Sequence, residues 1–128
     1  MRLLLDTSAF IWCLHSPERL SPKSQRRMED PNAELLLSIA SVWEMAIKEG
    51  SGKLSLKAPL NDIIGLGKER LFIGLLPIEI GHVIHTAQLP PHHRDPFDRL
   101  LIAQALLENL TIVTSDPKIS RYNVQVLW

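Results

Sequence analysis

Arg2-Leu3-Leu4-Leu5-Asp6-Thr7-Ser8, residues 2–8, decides the architecture. Three consecutive leucines are apolar on both faces, the pattern of a parallel strand covered by helices on each side; a half-exposed strand would alternate. A carboxylate and two hydroxyl residues follow at once. Thr7 or Ser8 can cap a helix that carries Phe10, Ile11 and Leu14 at helical spacing until Ser16-Pro17 stops it. Such a strand and helix form half of a βαβ unit, and in sheets built of these units ligands collect just beyond the carboxyl ends of the strands. Asp6 stands at that place.

The same grammar recurs downstream. Ser21 caps a helix from Pro22 to Glu29, and Glu34 to Leu37 is a second buried strand. Ser38 then caps a helix from Ile39 to Glu49 with Ile39, Val42, Trp43, Ala46 and Ile47 on one face, ended by Gly50 and Gly52. Ser51 to Pro59 reads as a loop and Asn61 to Arg70 as a weaker, glycine-containing helix. Phe72 to Ile78 reads as a third strand, and Glu79 to Leu89 as a helix bearing His82 and His85, broken by Pro90-Pro91. Asp95-Pro96 opens the best-patterned helix, with Phe97, Leu100, Leu101, Ala103, Ala105 and Leu107 facing the core and an end near Asn109. Thr111 to Thr114 is a fourth strand, Asp116-Pro117 starts a short helix, and Val124 to Leu127 is a fifth strand. Strands alternating with helices predict an α/β fold: a three-layer α/β/α sandwich with a central, mostly parallel five-stranded sheet and right-handed crossovers.

The chain has 128 residues, enough for one core, so residues 1–128 are expected to form a single domain. A composition of 45% hydrophobic and 22% charged residues excludes a mainly disordered chain. The apolar runs are too short for a membrane span or a secretory signal, which makes a cytoplasmic location the expectation. Cys13 is the single cysteine; it excludes an internal disulfide or a CxxC zinc site and reads as a buried helical residue. The formal net charge of zero excludes a broad positive field, so any contact with RNA must be local. Lys23, Arg26 and Arg27, then Lys48, Lys53 and Lys57, then Arg94 and Arg99, then Lys118 and Arg121 are candidate basic positions. Each also suits an ordinary solvated surface.

Four acidic residues stand at element ends or inside a buried pattern: Asp6, Glu44, Asp98 and Asp116. Two of them, and the neighbouring Asp95, have structural uses. Asp116 precedes Pro117 and Asp95 precedes Pro96 as helix caps, and Asp98 in a first turn complements the helix dipole. Glu44 is harder to excuse, because it lies inside its helix beside Trp43, where an unpaired carboxylate would be costly. A cation removes that cost by holding clustered carboxylates ionised. All-oxygen ligation selects Mg²⁺ or Mn²⁺, and the matching chemistry is hydrolysis of a phosphodiester by a metal-activated water, leaving a 5′-phosphate and a 3′-hydroxyl. The rival chemistry is a metal-free acid–base pair of histidines drawn from His82, His85, His92 and His93. It carries less weight, because no lysine or arginine spacing beside them specifies a phosphate pocket.

The segments Leu5-Asp6-Thr7-Ser8, Ser41-Val42-Trp43-Glu44-Met45-Ala46-Ile47-Lys48, Gly52-Lys53-Leu54, His93-Arg94-Asp95-Pro96-Phe97-Asp98-Arg99-Leu100-Leu101-Ile102-Ala103-Gln104-Ala105 and Val113-Thr114-Ser115-Asp116 together resemble a PIN domain. More narrowly, they resemble the VapC-type ribonuclease toxins of prokaryotic toxin–antitoxin modules. The resemblance runs through nearly the whole chain, and the tract from His93 to Ala105 is its most specific part.

The resemblance implies that Asp6, Glu44, Asp98 and Asp116 are the family's acidic quartet. Asp6, Asp98 and Asp116 would be direct or water-mediated ligands of Mg²⁺ (or Mn²⁺), with Glu44 a ligand or the base for the attacking water. Asp95 matches a further acidic position, Thr7 and Thr114 match supporting polar positions, and Arg99 would pair with Asp95 or touch substrate phosphate. Glu79-Ile80-Gly81 departs from the pattern, lacking the small hydroxyl residue expected to cap that helix. The implied activity is that of a toxin: a metal-dependent endoribonuclease acting on tRNA or ribosomal RNA. Its partners would be a VapB-like antitoxin reaching the carboxylates with a basic side chain, and a second copy in a homodimer. Two alternatives stay open: a PIN-like module that holds RNA or a protein without cutting, and another metal phosphohydrolase such as a DNA structure-specific nuclease. Trp12, Leu20 and Trp43 are the apolar residues expected to be left for a partner, if they are not simply core.

Overall fold

Leu3, Leu4 and Leu5 are wholly buried in the computed structural model, which describes residues 1–128, because β1 (Arg2–Leu5) is the middle strand of the sheet. β2 (Glu34–Ser38) lies on one side of it with β3 (Gly74–Leu76) beyond; β4 (Thr111–Val113) lies on the other with β5 (Val126–Leu127) beyond. The order is β3-β2-β1-β4-β5 and every neighbouring pair is parallel. Leu5 is in register with Leu37 and with Val113, so β1, β2 and β4 finish nearly level. That register delivers Asp6, Ser38 and Thr114 to one rim. Asp6 N–H donates to Val113 O across it at 3.1 Å.

Six α-helices cover the sheet: α1 (Thr7–His15), α2 (Pro22–Glu29), α3 (Ile39–Gly50), α4 (Leu60–Arg70), α5 (Ile80–Thr86) and α6 (Pro96–Glu108). Alternating β1 side chains point to opposite faces. Leu3 and Leu5 join Phe10, Leu37, Met45, Ile63 and Val113 in one layer of core, and Leu4 joins Leu36, Leu101, Ile102, Ile112 and Ile119 in the other. This is the three-layer sandwich, with an all-parallel sheet. Gly67 explains the weak pattern of α4: a Cβ there would lie 2.7 Å from Phe10 Cε1 and 2.9 Å from Ile73 Cδ1, so the glycine lets α4 close onto the core. No helix is long and apolar enough to cross a membrane.

The element ends differ from expectation for identifiable reasons. Asp6, rather than Thr7 or Ser8, caps α1, its Oδ1 accepting from Ala9 N–H at 2.8 Å. The third strand is confined to 74–76, because Phe72 has φ of 54° and turns its ring into solvent at 85% exposure. α5 ends at Thr86, where the N–H groups of Ala87, Gln88 and Leu89 turn to carbonyls three residues back. At its start His82 Nδ1 accepts from Glu79 N–H at 2.9 Å, which ties the first turn back to the residue before it although no hydroxyl cap is present. No helix starts at Asp116-Pro117; a single 3-10 turn (Ile119–Arg121) follows, and β5 begins at Val126. Cys13 is half-buried.

Candidate active site

Asp6, Glu44, Asp98 and Asp116 meet at the rim where β1, β2 and β4 end. Asp6 follows β1, Glu44 lies on the second turn of α3 directly after β2, Asp98 lies in the first turn of α6, and Asp116 follows β4. Asp6 is 9% and Glu44 4% exposed, so charge is concentrated where little water reaches it. Glu44 is tied at both oxygens: Thr7 Oγ1 donates to Oε1 and Lys48 Nζ to Oε2, each at 2.6 Å. The expected unpaired carboxylate therefore has partners within the chain. Asp116 is held through its own N–H, which donates to Thr114 Oγ1 at 3.0 Å, while its Oδ1 accepts from Lys118 N–H at 2.9 Å. Asp95 caps α6 by accepting from Phe97 N–H and Asp98 N–H.

The carboxylates feel one another. Burial pushes the Asp98 carboxyl up to about 7, and the charges of Asp95, Glu44 and Asp6 push the same way, with His93 opposing them. Burial also raises Asp6; the Thr114 hydroxyl and Ala9 N–H oppose that shift, and Glu44 and Asp116 add to it. Lys48 is raised chiefly by its bond to Glu44, with the charges of Asp95 and Asp98 contributing.

Of the candidate histidines, His93 belongs to this cluster. Its Nε2 lies 2.9 Å from Asp98 Oδ2 and bonds Asp116 Oδ2 at 3.1 Å. Asp95 N–H faces Nδ1 at 3.3 Å, which assigns the ring hydrogen to Nε2 and makes it the donor. Its position two residues before the Asp95 cap was the available signal. The ring does not pair with His92, which stacks edge-on against Tyr122 at 5.1 Å. His82 is buried and bonds Glu108 Oε1 at 2.9 Å, so its ring is engaged away from His93.

Arg99 is tied to the loop that precedes α6. It makes no pair with Asp95; its guanidinium donates to the carbonyls of Thr86, Leu89, Pro90 and His93 and to Tyr122 Oη. Tyr122 Oη in turn donates to Pro90 O and accepts from His93 N–H. Together these bonds fix the loop that presents His93.

The donor set fits a divalent cation. The charges of Glu44 and Asp116 raise the proton affinity of Asp6, and those of Asp95, Glu44 and Asp6 raise that of Asp98, a repulsion that a cation relieves, and the ligand atoms of His93, Asp98 and Asp116 lie within 4.8 Å of one another. Oxygens predominate, and His93 is oriented as a hydrogen-bond donor to the carboxylates, the usual outer partner of such a centre.

The apolar surfaces lie elsewhere. Trp43 is 58% exposed and meets Phe97 edge-on at 5.1 Å. Ile39 and Ile47 of α3 and Ile80, Val83 and Ile84 of α5 are exposed too. Leu20, expected in a free groove, is buried, and Trp12 is half-covered by Trp128 and Arg19. A cleft of about 760 Å³ lined by Cys13, Leu20, Met28, Glu34, Leu71 and Phe72 opens at the amino end of β2, away from the carboxylates.

The PIN domain family matches residues 3–125. No curated protein matches in sequence. Among solved structures, the chain is similar to VapBC2 from Rickettsia felis bound to a DNA fragment from their promoter, with 16% identity, a TM-score of 0.74 and coverage of 99% of this chain and 98% of that one. It is also similar to VapBC-1 from nontypeable Haemophilus influenzae (18% identity, TM-score 0.71, coverage 99% and 97%) and to FitAcB from Neisseria gonorrhoeae (21%, 0.61, 98% and 96%).

Proposed function

This chain belongs to the PIN-domain family, and we propose that it is the toxin of a toxin–antitoxin module, a Mg²⁺- or Mn²⁺-dependent endoribonuclease. The observation that carries the reading is the convergence of Asp6, Glu44, Asp98 and Asp116 at one rim of the sheet. A divalent cation held there by Asp6, Asp98 and Asp116 would lower the pKa of a water and offset charge on the phosphoryl oxygens. Asp6, Asp98 and Asp116 are the proposed ligands, direct or through water. Glu44, fixed by Thr7 and Lys48, orients the attacking water and receives its proton. His93 holds Asp98 and Asp116 together, and Arg99 and Asp95 hold the loop and helix end that carry them. The products are a 5′-phosphate and a 3′-hydroxyl, and the substrate is tRNA or ribosomal RNA.

Two partners follow. The exposed apolar residues of α3 and α5, with Trp43 and Val83 lining one cavity between them, suit a second copy, because large exposed apolar surface is uncommon on a free monomer. Similar solved structures are VapBC assemblies, which supports a VapB-like antitoxin that carries a basic side chain to the carboxylates. Mapping the fragment ends after incubation with bulk tRNA and ribosomal RNA in Mg²⁺ tests the reading. Defined cuts with 5′-phosphate ends support it; 2′,3′-cyclic phosphate ends or intact RNA contradict it.

A further inference from the structure

We propose that Lys48 is a substrate-binding residue that takes a non-bridging oxygen of the RNA phosphate beside the carboxylates. The inference rests on the nuclease reading above and adds the group that brings a polyanion to a site lined with negative charge. Such a group adds to what a bound metal would supply, because the net charge of zero provides no general field to draw RNA in.

The structure narrows the choice to Lys48. Among lysines and arginines it is the one within ion-pair distance of a carboxylate of the site, with Nζ 2.6 Å from Glu44 Oε2. Arg99, another cation of this region, has its guanidinium committed to four backbone carbonyls and Tyr122. The two ends of the Lys48 pair differ: the Glu44 side chain is 6% exposed and that of Lys48 46%, so the ammonium stands at the mouth. An ammonium has three donors, and Glu44 uses one, leaving two for a phosphate. Asp95 and Asp98 on α6 also act on its charge, so Lys48 faces the site across α3 and α6 and is more than a surface pair along one helix. Its spacing of i+4 from Glu44 was legible in the sequence.

The competing role is that Lys48 merely holds Glu44 in place. A double-mutant cycle separates the two. Binding of a short fluorescein-labelled RNA oligonucleotide is measured by anisotropy in Ca²⁺, over a series of salt concentrations, for wild type, Lys48→Ala, Lys48→Arg, Glu44→Gln and Glu44→Gln/Lys48→Ala. Mn²⁺ affinity is measured on the same proteins by calorimetry. The proposal expects Lys48→Ala to weaken RNA binding about tenfold or more and to reduce the slope of log Kd against log salt by about 0.7 to 1. It expects the same loss in the Glu44→Gln background, Lys48→Arg close to wild type, and Mn²⁺ affinity not reduced. RNA affinity unchanged on removing Lys48 from the Glu44→Gln protein overturns it and leaves Lys48 as a support for Glu44. A wild-type protein that neither binds nor cuts RNA overturns the nuclease reading and this inference with it, a result distinct from the previous one.

Discussion

Thr7 Oγ1 donates to Glu44 Oε1 at 2.6 Å, joining the first residue of α1 to the interior of α3 over the end of the sheet. The bond exists because Asp6 takes the capping role that Thr7 would otherwise fill, which frees the hydroxyl to turn inward. Local capping chemistry thus sets the geometry of a buried carboxylate 37 residues away.

Thr7→Val is expected to destabilise the fold by about 1–3 kcal/mol, since Glu44 Oε1 is left buried without its donor, and to slow RNA cleavage through a lower kcat. Thr7→Ser keeps the hydroxyl and should recover most of both. Chemical denaturation with parallel single-turnover cleavage checks this; a Thr7→Val protein as active as Thr7→Ser would show that the bond does not matter.

Metal-free stability should fall as pH rises. Asp98 holds its proton to about pH 7 in the fold, against 3.8 for a free carboxyl, so between these values the native state binds a proton that the unfolded state has lost. The stability this contributes is full below about pH 4 and is lost as pH climbs through 7; Asp6, also raised, acts in the same sense. Melting curves in EDTA from pH 5 to 8 should therefore be steeper for wild type than for Asp98→Asn, with Asp98→Asn the more stable at pH 8 and Mn²⁺ removing the difference. Parallel curves for the two proteins would contradict the clustering.

His93→Ala should weaken Mn²⁺ binding by about 10- to 100-fold, the usual cost of losing an outer partner of metal ligands. His93→Gln can still donate from a similar place and should lose less. Calorimetry reads this without RNA. Equal losses in both variants would indicate direct ligation by the ring nitrogen.

Arg99→Ala should cost about 2–3 kcal/mol, because carbonyls of the Thr86–His93 stretch lose a charged donor, while the salt dependence of RNA binding stays at the wild-type slope. A reduced slope would return Arg99 to the phosphate-binding role that its sequence position suggested.

The sequence made the layers legible because the evidence for them is local: unbroken leucine runs for strands buried on both faces, Pro22 and Pro96 behind their caps, and helical periodicity in α6. The placement of Asp6 and Asp116 followed from strand ends alone. What escaped was settled by contacts distant in sequence. Arg99 looked like a surface cation until the loop from Thr86 to His93 folded its carbonyls around it, and His93 looked like its neighbour His92 until that loop carried it to Asp98 and Asp116. Phe72 was counted as strand because an aromatic residue favours one, and its left-handed backbone left no local trace.

Cleavage of bulk tRNA by wild type and by Asp98→Asn, each in Mg²⁺ and in excess EDTA with the fold checked by melting, tests the central claim most directly. Asp98→Asn preserves size and hydrogen bonding while removing a charge that a hard cation requires. The predicted result is cutting by wild type in Mg²⁺ alone and none by the folded Asp98→Asn protein; undiminished cutting by wild type in EDTA, or by Asp98→Asn in Mg²⁺, would contradict it.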